Sequence, residues 1–96
     1  MCGNDLINAQ VSPNGELVAI AFRRNCGATT PYYTEVSILD EPGKLGNEAG
    51  NISIVEGRQP LTLEWNGDEQ LNIGGVGYGR QSLRLSEYRG IRIRYE

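Results

Sequence analysis

Glu16-Leu17-Val18-Ala19-Ile20-Ala21-Phe22-Arg23-Arg24, running directly into Asn25-Cys26-Gly27-Ala28-Thr29-Thr30-Pro31, is the stretch on which the fold turns. In its first half Val18, Ile20 and Phe22 fall on one side of an extended chain, and Leu17, Ala19 and Ala21 on the other. Apolar residues on both sides predict a central strand. The alanine side permits close approach by a bulky layer. The second half, with its cysteine, glycine and proline, predicts a corner between two strands.

Upstream, Leu6 to Val11 alternates weakly through Ile7, Ala9 and Val11 and reads as a short edge strand. Ser12-Pro13-Asn14-Gly15 is a turn, because Pro13 fixes φ and Asn14-Gly15 accepts positive φ. Downstream, Tyr32 to Leu39 is a second strand with Thr34, Val36 and Ile38 inward, paired with the first. Asp40 to Asn51 is polar, glycine-rich and aperiodic, hence a loop. Ile52 to Val55 is a short strand, and Gly57-Arg58-Gln59-Pro60 turns the chain. Leu61, Leu63 and Trp65 then alternate, Asn66 to Glu69 closes a hairpin, and Leu71 and Ile73 return. Gly74 to Gly79 breaks the pattern and Leu83 and Leu85 restore it. Tyr88-Arg89-Gly90 is a turn or bulge before Ile91, Ile93 and Tyr95, whose strand carries arginine on its other face. The expectation is an all-β fold, a small antiparallel β-sandwich or barrel-like meander of about seven or eight short strands. Pairing is sequential and Trp65 sits at the core centre. A propeller fragment is the rival, since Ser-Pro-Asn-Gly before a strand suits a blade turn, but two blades would leave open edges.

A chain of 96 residues is one domain spanning 1–96. At this size it buries only roughly two-thirds of its unfolded surface, so a covalent tie is useful. Its 39% hydrophobic and 22% charged content excludes disorder, and 13 glycines suit many turns. A net charge of −3 argues against a nucleic-acid binder. The charge is uneven. Residues 80–96 carry Arg80, Arg84, Arg89, Arg92 and Arg94 against Glu87 and Glu96, a net of +3 that leaves −6 elsewhere. This is either the outward face of a strand or a basic stripe for an acidic partner. No run approaches the roughly 20 apolar residues of a membrane span. Met1 stands directly before Cys2, which suggests a mature chain whose leader has been replaced by a start methionine.

Cys2 and Cys26 allow one intramolecular pairing, which would staple the N-terminal end to the first hairpin and stabilise by about 3 kcal/mol. Two reduced thiols, or a lipoprotein with lipid on Cys2 and a free Cys26, are the alternatives. With no histidine and only two cysteines, the chain offers neither a closed zinc site nor a Ser-His or Cys-His pair. There is no Cys-x-x-Cys redox motif, and no cofactor is implied. Asp40-Glu41 and Asp68-Glu69 lie in turns, where acidic residues are expected anyway. Gly74-Gly75-Val76-Gly77-Tyr78-Gly79 lacks the Gly-Lys-Ser/Thr of a phosphate loop. With Tyr78 and Arg80 it is a candidate recognition loop, against a bulged strand crossing. Tyr32 and Tyr33, beside the corner, and Arg92 and Arg94, on the last strand, complete the candidate partner-binding set. Asn51-Ile52-Ser53 fits the glycosylation sequon, a weak pattern.

Cys2-Gly3-Asn4, Ser12-Pro13-Asn14-Gly15, Asn25-Cys26-Gly27-Ala28-Thr29-Thr30 and Val36-Ser37-Ile38-Leu39 together resemble a widespread family of small uncharacterised bacterial proteins. Gly50-Asn51-Ile52, Leu63-Glu64-Trp65 and Gly90-Ile91-Arg92-Ile93-Arg94-Tyr95 extend the likeness over nearly the whole chain. Asn14 and Asn25 stand where that pattern more often has aspartate. The resemblance implies export, by a signal or lipoprotein peptide, and a disulfide. It implies no catalytic residues.

The functional expectation is a non-enzymatic module in the periplasm or at the cell surface, binding another protein through loops such as Asp40–Asn51 and Gly74–Arg80, in the manner of an inhibitor or immunity protein. The alternative is a structural or accessory domain that pairs through an exposed strand edge, with Leu83–Tyr95 as the candidate edge.

Overall fold

The structure, a computed structural model, describes residues 2–27, 31–75 and 80–96. Nine strands and no helix occur among them: β1 (Gly3–Val11), β2 (Leu17–Asn25), β3 (Tyr33–Asp40), β4 (Ser53–Glu56), β5 (Thr62–Trp65), β6 (Gln70–Gly74), β7 (Gln81–Arg84), β8 (Glu87–Tyr88) and β9 (Ile91–Tyr95). They form a five-stranded sheet A, in the order β1-β2-β3-β4-β7, and a four-stranded sheet B, in the order β5-β6-β9-β8.

The double-sided pattern of β2 sets up both layers. Ala19 and Ala21 pair with Ile38 and Val36 and share one buried cluster with Leu63, Leu71, Ile73, Ile91 and Ile93 of sheet B. Both alanines are fully buried, and their short side chains let the second sheet pack closely. On the opposite face Val18, Ile20 and Phe22 form a second cluster with Leu39 and Leu45. The 40–51 loop supplies that second cover. It is held down by Asn4, whose Nδ2 donates to the carbonyls of Gly46 (3.0 Å) and Glu48 (2.8 Å), and by Arg24, which donates to Asn47 O (3.0 Å).

Asn51 closes the loop by imitating a strand. Its Oδ1 accepts from Ile38 N (2.9 Å) and its Nδ2 donates to Ile38 O (3.0 Å), so one side-chain amide fills a ladder position. The sequon therefore places its asparagine in an internal bond, with Ser53 fully buried. The turns follow their chemistry. Gly15 N donates to Ser12 O (2.9 Å) with Gly15 at φ 75°, and Arg89-Gly90, at φ 53° and 80°, joins β8 to β9 in the conformation tight hairpins favour.

Three expectations need correction. Pairing is not sequential throughout: β6 and β9 are parallel, and β7 pairs with β4. After β6 the chain crosses to sheet A as β7 and then returns through β8, so β9 arrives beside β6 in the same direction. Trp65 is not the centre of the core. It ends β5, an edge strand, so its ring lies half-buried at the rim and its indole N–H donates to Gln10 O (2.8 Å). The centre is aliphatic, with Leu71, Ile73, Val36, Ile38, Ile52 and Val55 at 1% exposure or less. Finally, Leu83–Tyr95 is not one open edge. β7 borders sheet A, whereas β9 lies between β6 and β8 inside sheet B.

Candidate partner-binding surfaces

Cys2 and Cys26 form a disulfide. It sits beside the Gly3–Asn25 pair that ends the β1–β2 ladder, and so pins one end of sheet A. β3 starts at that end and β4 finishes there, which brings Tyr32, Tyr33 and Arg80 together. Gly57 N donates to Tyr32 O (2.7 Å) and Glu56 N donates to Arg80 O (2.8 Å), so two consecutive amides hold both positions. Arg58 lies over the Tyr32 ring at 4.4 Å from its centroid. The turn under Arg58 is fixed by Thr34, whose hydroxyl donates to Gly57 O (2.7 Å) and accepts from Gln59 N (3.0 Å). Tyr33 lies between Arg24 and Glu56 across the sheet. Arg23, also at this end, has its Nε buried without a hydrogen-bond partner. Tyr78 lies outside the described residues.

Arg92 and Arg94 do not join this group. They alternate outward from Ile91 and Ile93 on the open face of sheet B, beside Gln70 and Asn72 of β6, with Glu87 across from Arg92. The arginine-rich C-terminal stretch is therefore divided among several surfaces. Arg84 stacks over the Tyr95 ring at 4.4 Å, and Arg89 pairs with Asp40 at 3.0 Å, both side chains being exposed. Of the described candidate residues, Tyr32, Tyr33 and Arg80 stand at one end of sheet A, whereas Arg92 and Arg94 belong to sheet B.

The opposite end is acidic. Glu41 N donates to Glu16 O (2.9 Å), and Asn14 N donates to Asp68 Oδ1 (2.8 Å), which ties the first turn to the β5–β6 hairpin. Glu16, Asp40, Glu41, Asp68 and Glu69 thus converge on one end with Arg89. Among the described residues, Arg23, Arg24, Arg58 and Arg80 stand at the disulfide end with Asp5, Glu35, Glu48 and Glu56, a balance near zero. The net negative charge of the chain is carried away from the tyrosine–arginine cluster.

Two features escaped the sequence reading. Glu35 is 3% exposed, with Oε1 accepting from Gly50 N at 2.7 Å beneath the 40–51 loop. A Cβ on Gly50 would come within 2.9 Å of Glu35 Cβ, Ser53 O and Val36 O, so only glycine fits that approach. The legible signal was Phe22, opposite Glu35: a face carrying that ring had to be covered. Under the same loop lies a cavity of about 150 Å³ lined by Phe22, Leu39, Leu45 and neighbours. The second feature is Tyr95, whose hydroxyl donates to Leu85 O (2.8 Å) and approaches Ile52 O (3.3 Å). Burial raises its pKa above 10.0, against opposing effects of the Ser53 hydroxyl and the Arg84 charge.

Among the described residues no group of three or more His, Cys, Asp or Glu side chains is placed to hold a metal ion, and no helix is long and apolar enough to cross a membrane. No protein-family model, curated protein or solved structure matches the chain.

Proposed function

We propose that this protein is a non-enzymatic, extracytoplasmic bacterial module that binds another protein through its disulfide-pinned end, contacting an acidic segment of the partner. The observation that carries this reading is the Arg58–Tyr32 stack at the end of sheet A that also holds Tyr33 and Arg80, on backbone fixed by Thr34 and by the Glu56 and Gly57 amides. Tyrosine and arginine dominate interface hot spots, because each presents a large contact area with a polar handle. A rigid support limits the ordering entropy lost on binding. The disulfide is compatible with an oxidising compartment, which supports export, as does the family resemblance. In a longer precursor a lipid anchor would have to use a residue other than the disulfide-bonded Cys2.

The test compares wild type with Arg58→Glu/Arg80→Glu as baits in a cell-envelope extract. The expected result is a partner captured by wild type, weakened by added salt and lost by the double variant, with the melting temperature unchanged. Equal capture by both baits would overturn this assignment of the surface. Hydrolytic turnover that survived purification would replace binding with catalysis.

A second reading, an accessory module that pairs through a strand edge, is favoured by β1. It borders sheet A along nine residues, and among the described residues the exposed large apolar side chains are Leu6, Ile7 and Val11, all on β1.

A further inference from the structure

The geometry points to β1 as a self-pairing edge: two copies of this chain join β1 to β1 in antiparallel fashion about a two-fold axis, between Leu6 of one copy and Ile7 of the other. This rests on the second reading above and names its occupant.

β1 is the open edge best suited to pairing. Of the other edge strands, β7 and β5 have four residues each and β8 has two. Of the usual protections of an edge, β1 carries a bulge at Ile7 and one ionisable side chain, Asp5, but no lysine, arginine or proline. Leu6 is 61% exposed and Ile7 38%, next to each other at mid-strand.

The bulge selects the register. Leu6 pairs with Phe22 and Asn8 with Ala21, leaving Ile7 as the extra residue. Before the bulge, Asn4 and Leu6 share the face of Phe22; after it, Ala9 and Val11 share that same face, opposite Ile20 and Val18. A second β1 keeps like faces together only if even-numbered residues before the bulge oppose odd-numbered residues after it. The register centred between Leu6 and Ile7 meets this condition, placing Asn4 against Ala9 and Asp5 against Asn8. Leu6 and Ile7 of both copies then meet at the axis. Gln10 bounds the free stretch, because its carbonyl already accepts from Trp65, and in this register Gln10 falls at the end of the ladder opposite Gly3.

Charge agrees with this arrangement. The two Asp5 side chains lie three residues apart along the paired strands, roughly 10 Å, about one Debye length at 0.1 M salt. Each faces an Asn8 amide able to donate to it. An interface of one strand pair belongs to the small, weak class, so association is expected to depend on concentration.

The test is sedimentation equilibrium over a concentration series, with amide hydrogen exchange at both ends of the series. Wild type is expected to pass from monomer to dimer as concentration rises, with amides in Gly3–Ala9 gaining protection in the dimer. Leu6→Lys places two like charges at the axis on a side chain already in solvent. It is expected to weaken the dimer at least tenfold with an unchanged melting temperature. A monomer at millimolar concentration overturns the inference, as does a dimer indifferent to Leu6→Lys or one without new protection in β1. If wild type is monomeric but Leu6→Lys loses a partner captured from the envelope extract, self-pairing fails while edge pairing stands.

Discussion

Removing the disulfide by Cys2→Ala/Cys26→Ala is expected to destabilise the protein by about 3.5 kcal/mol, from the chain-entropy relation for a closed loop of about 25 residues. The two cysteines are 24 positions apart and close the β1–β2 ladder, so nearly all of that loop is native hairpin. Unfolding entropy scales with chain length, and at this size the change corresponds to roughly 17 °C in melting temperature. The effect should not be uniform. Asn4 and Arg24 lie two residues inside the staple, and their bonds to Gly46, Asn47 and Glu48 hold down the loop that covers Phe22. Frayed ends should release this loop before the sheet core opens. Two-state denaturant unfolding of wild type and double variant gives the stability difference, and native-state hydrogen exchange gives its location. A loss below about 1 kcal/mol would refute the entropic reasoning, because residual order in the unfolded hairpin would then already supply the constraint. A full loss with loop 40–51 still protected would refute the latch.

Two further outcomes follow from buried polar groups. Glu35→Ala leaves the Gly50 N–H without its acceptor and should cost about 1–3 kcal/mol more than Glu35→Gln, which keeps an oxygen in place; equal losses in chemical denaturation would show that the bond contributes nothing specific. Tyr95→Phe should cost about 1 kcal/mol at neutral pH. Because burial raises the Tyr95 pKa, the folded state favours the neutral phenol. That contribution is complete below pH 10.0 and lost as pH rises through the raised value. Wild type should therefore lose stability faster than Tyr95→Phe above pH 10.0, and a constant offset between the two would refute the assignment.

The features legible in the sequence were those with a single physical solution. β2 has apolar residues on both sides and therefore had to be a central strand, and Ser12-Pro13-Asn14-Gly15 has the chemistry of one kind of turn. Pairing direction was not legible. Leu71-Ile73 and Ile91-Ile93 alternate identically whether the strands run parallel or antiparallel, and only the excursion through β7 decides it. Trp65 was misplaced because alternation reports a residue's face and not its distance from the sheet edge. Glu35 looked like an outward polar residue among inward Thr34, Val36 and Ile38. Its burial depends on loop 40–51 folding back across β3, a long-range event with no local periodicity. The candidate site divided for a related reason. Tyr32, Tyr33 and Arg80 share one end because β3, β4 and β7 are neighbours in one sheet, whereas Arg92 and Arg94 belong to the other.

The two proposed surfaces constrain one another. Tyr33 of β3 is two strands in from the β1 edge, aligned with Arg24 and then Asn4, which places it roughly 10 Å from the pairing line. A second copy on β1 thus leaves the tyrosine–arginine end open. Antiparallel pairing about an axis normal to the sheet turns the two copies in opposite directions along their strands. Their disulfide ends then point apart, and no single compact partner can span both. A dimer of this geometry would bridge two partner molecules and would not grip one of them twice, so it offers cross-linking without the affinity gain of a bivalent grip on one surface. In such a dimer, binding to an acidic partner would be set by the Arg58–Tyr32 end alone, and β1 would decide how many partners are brought together.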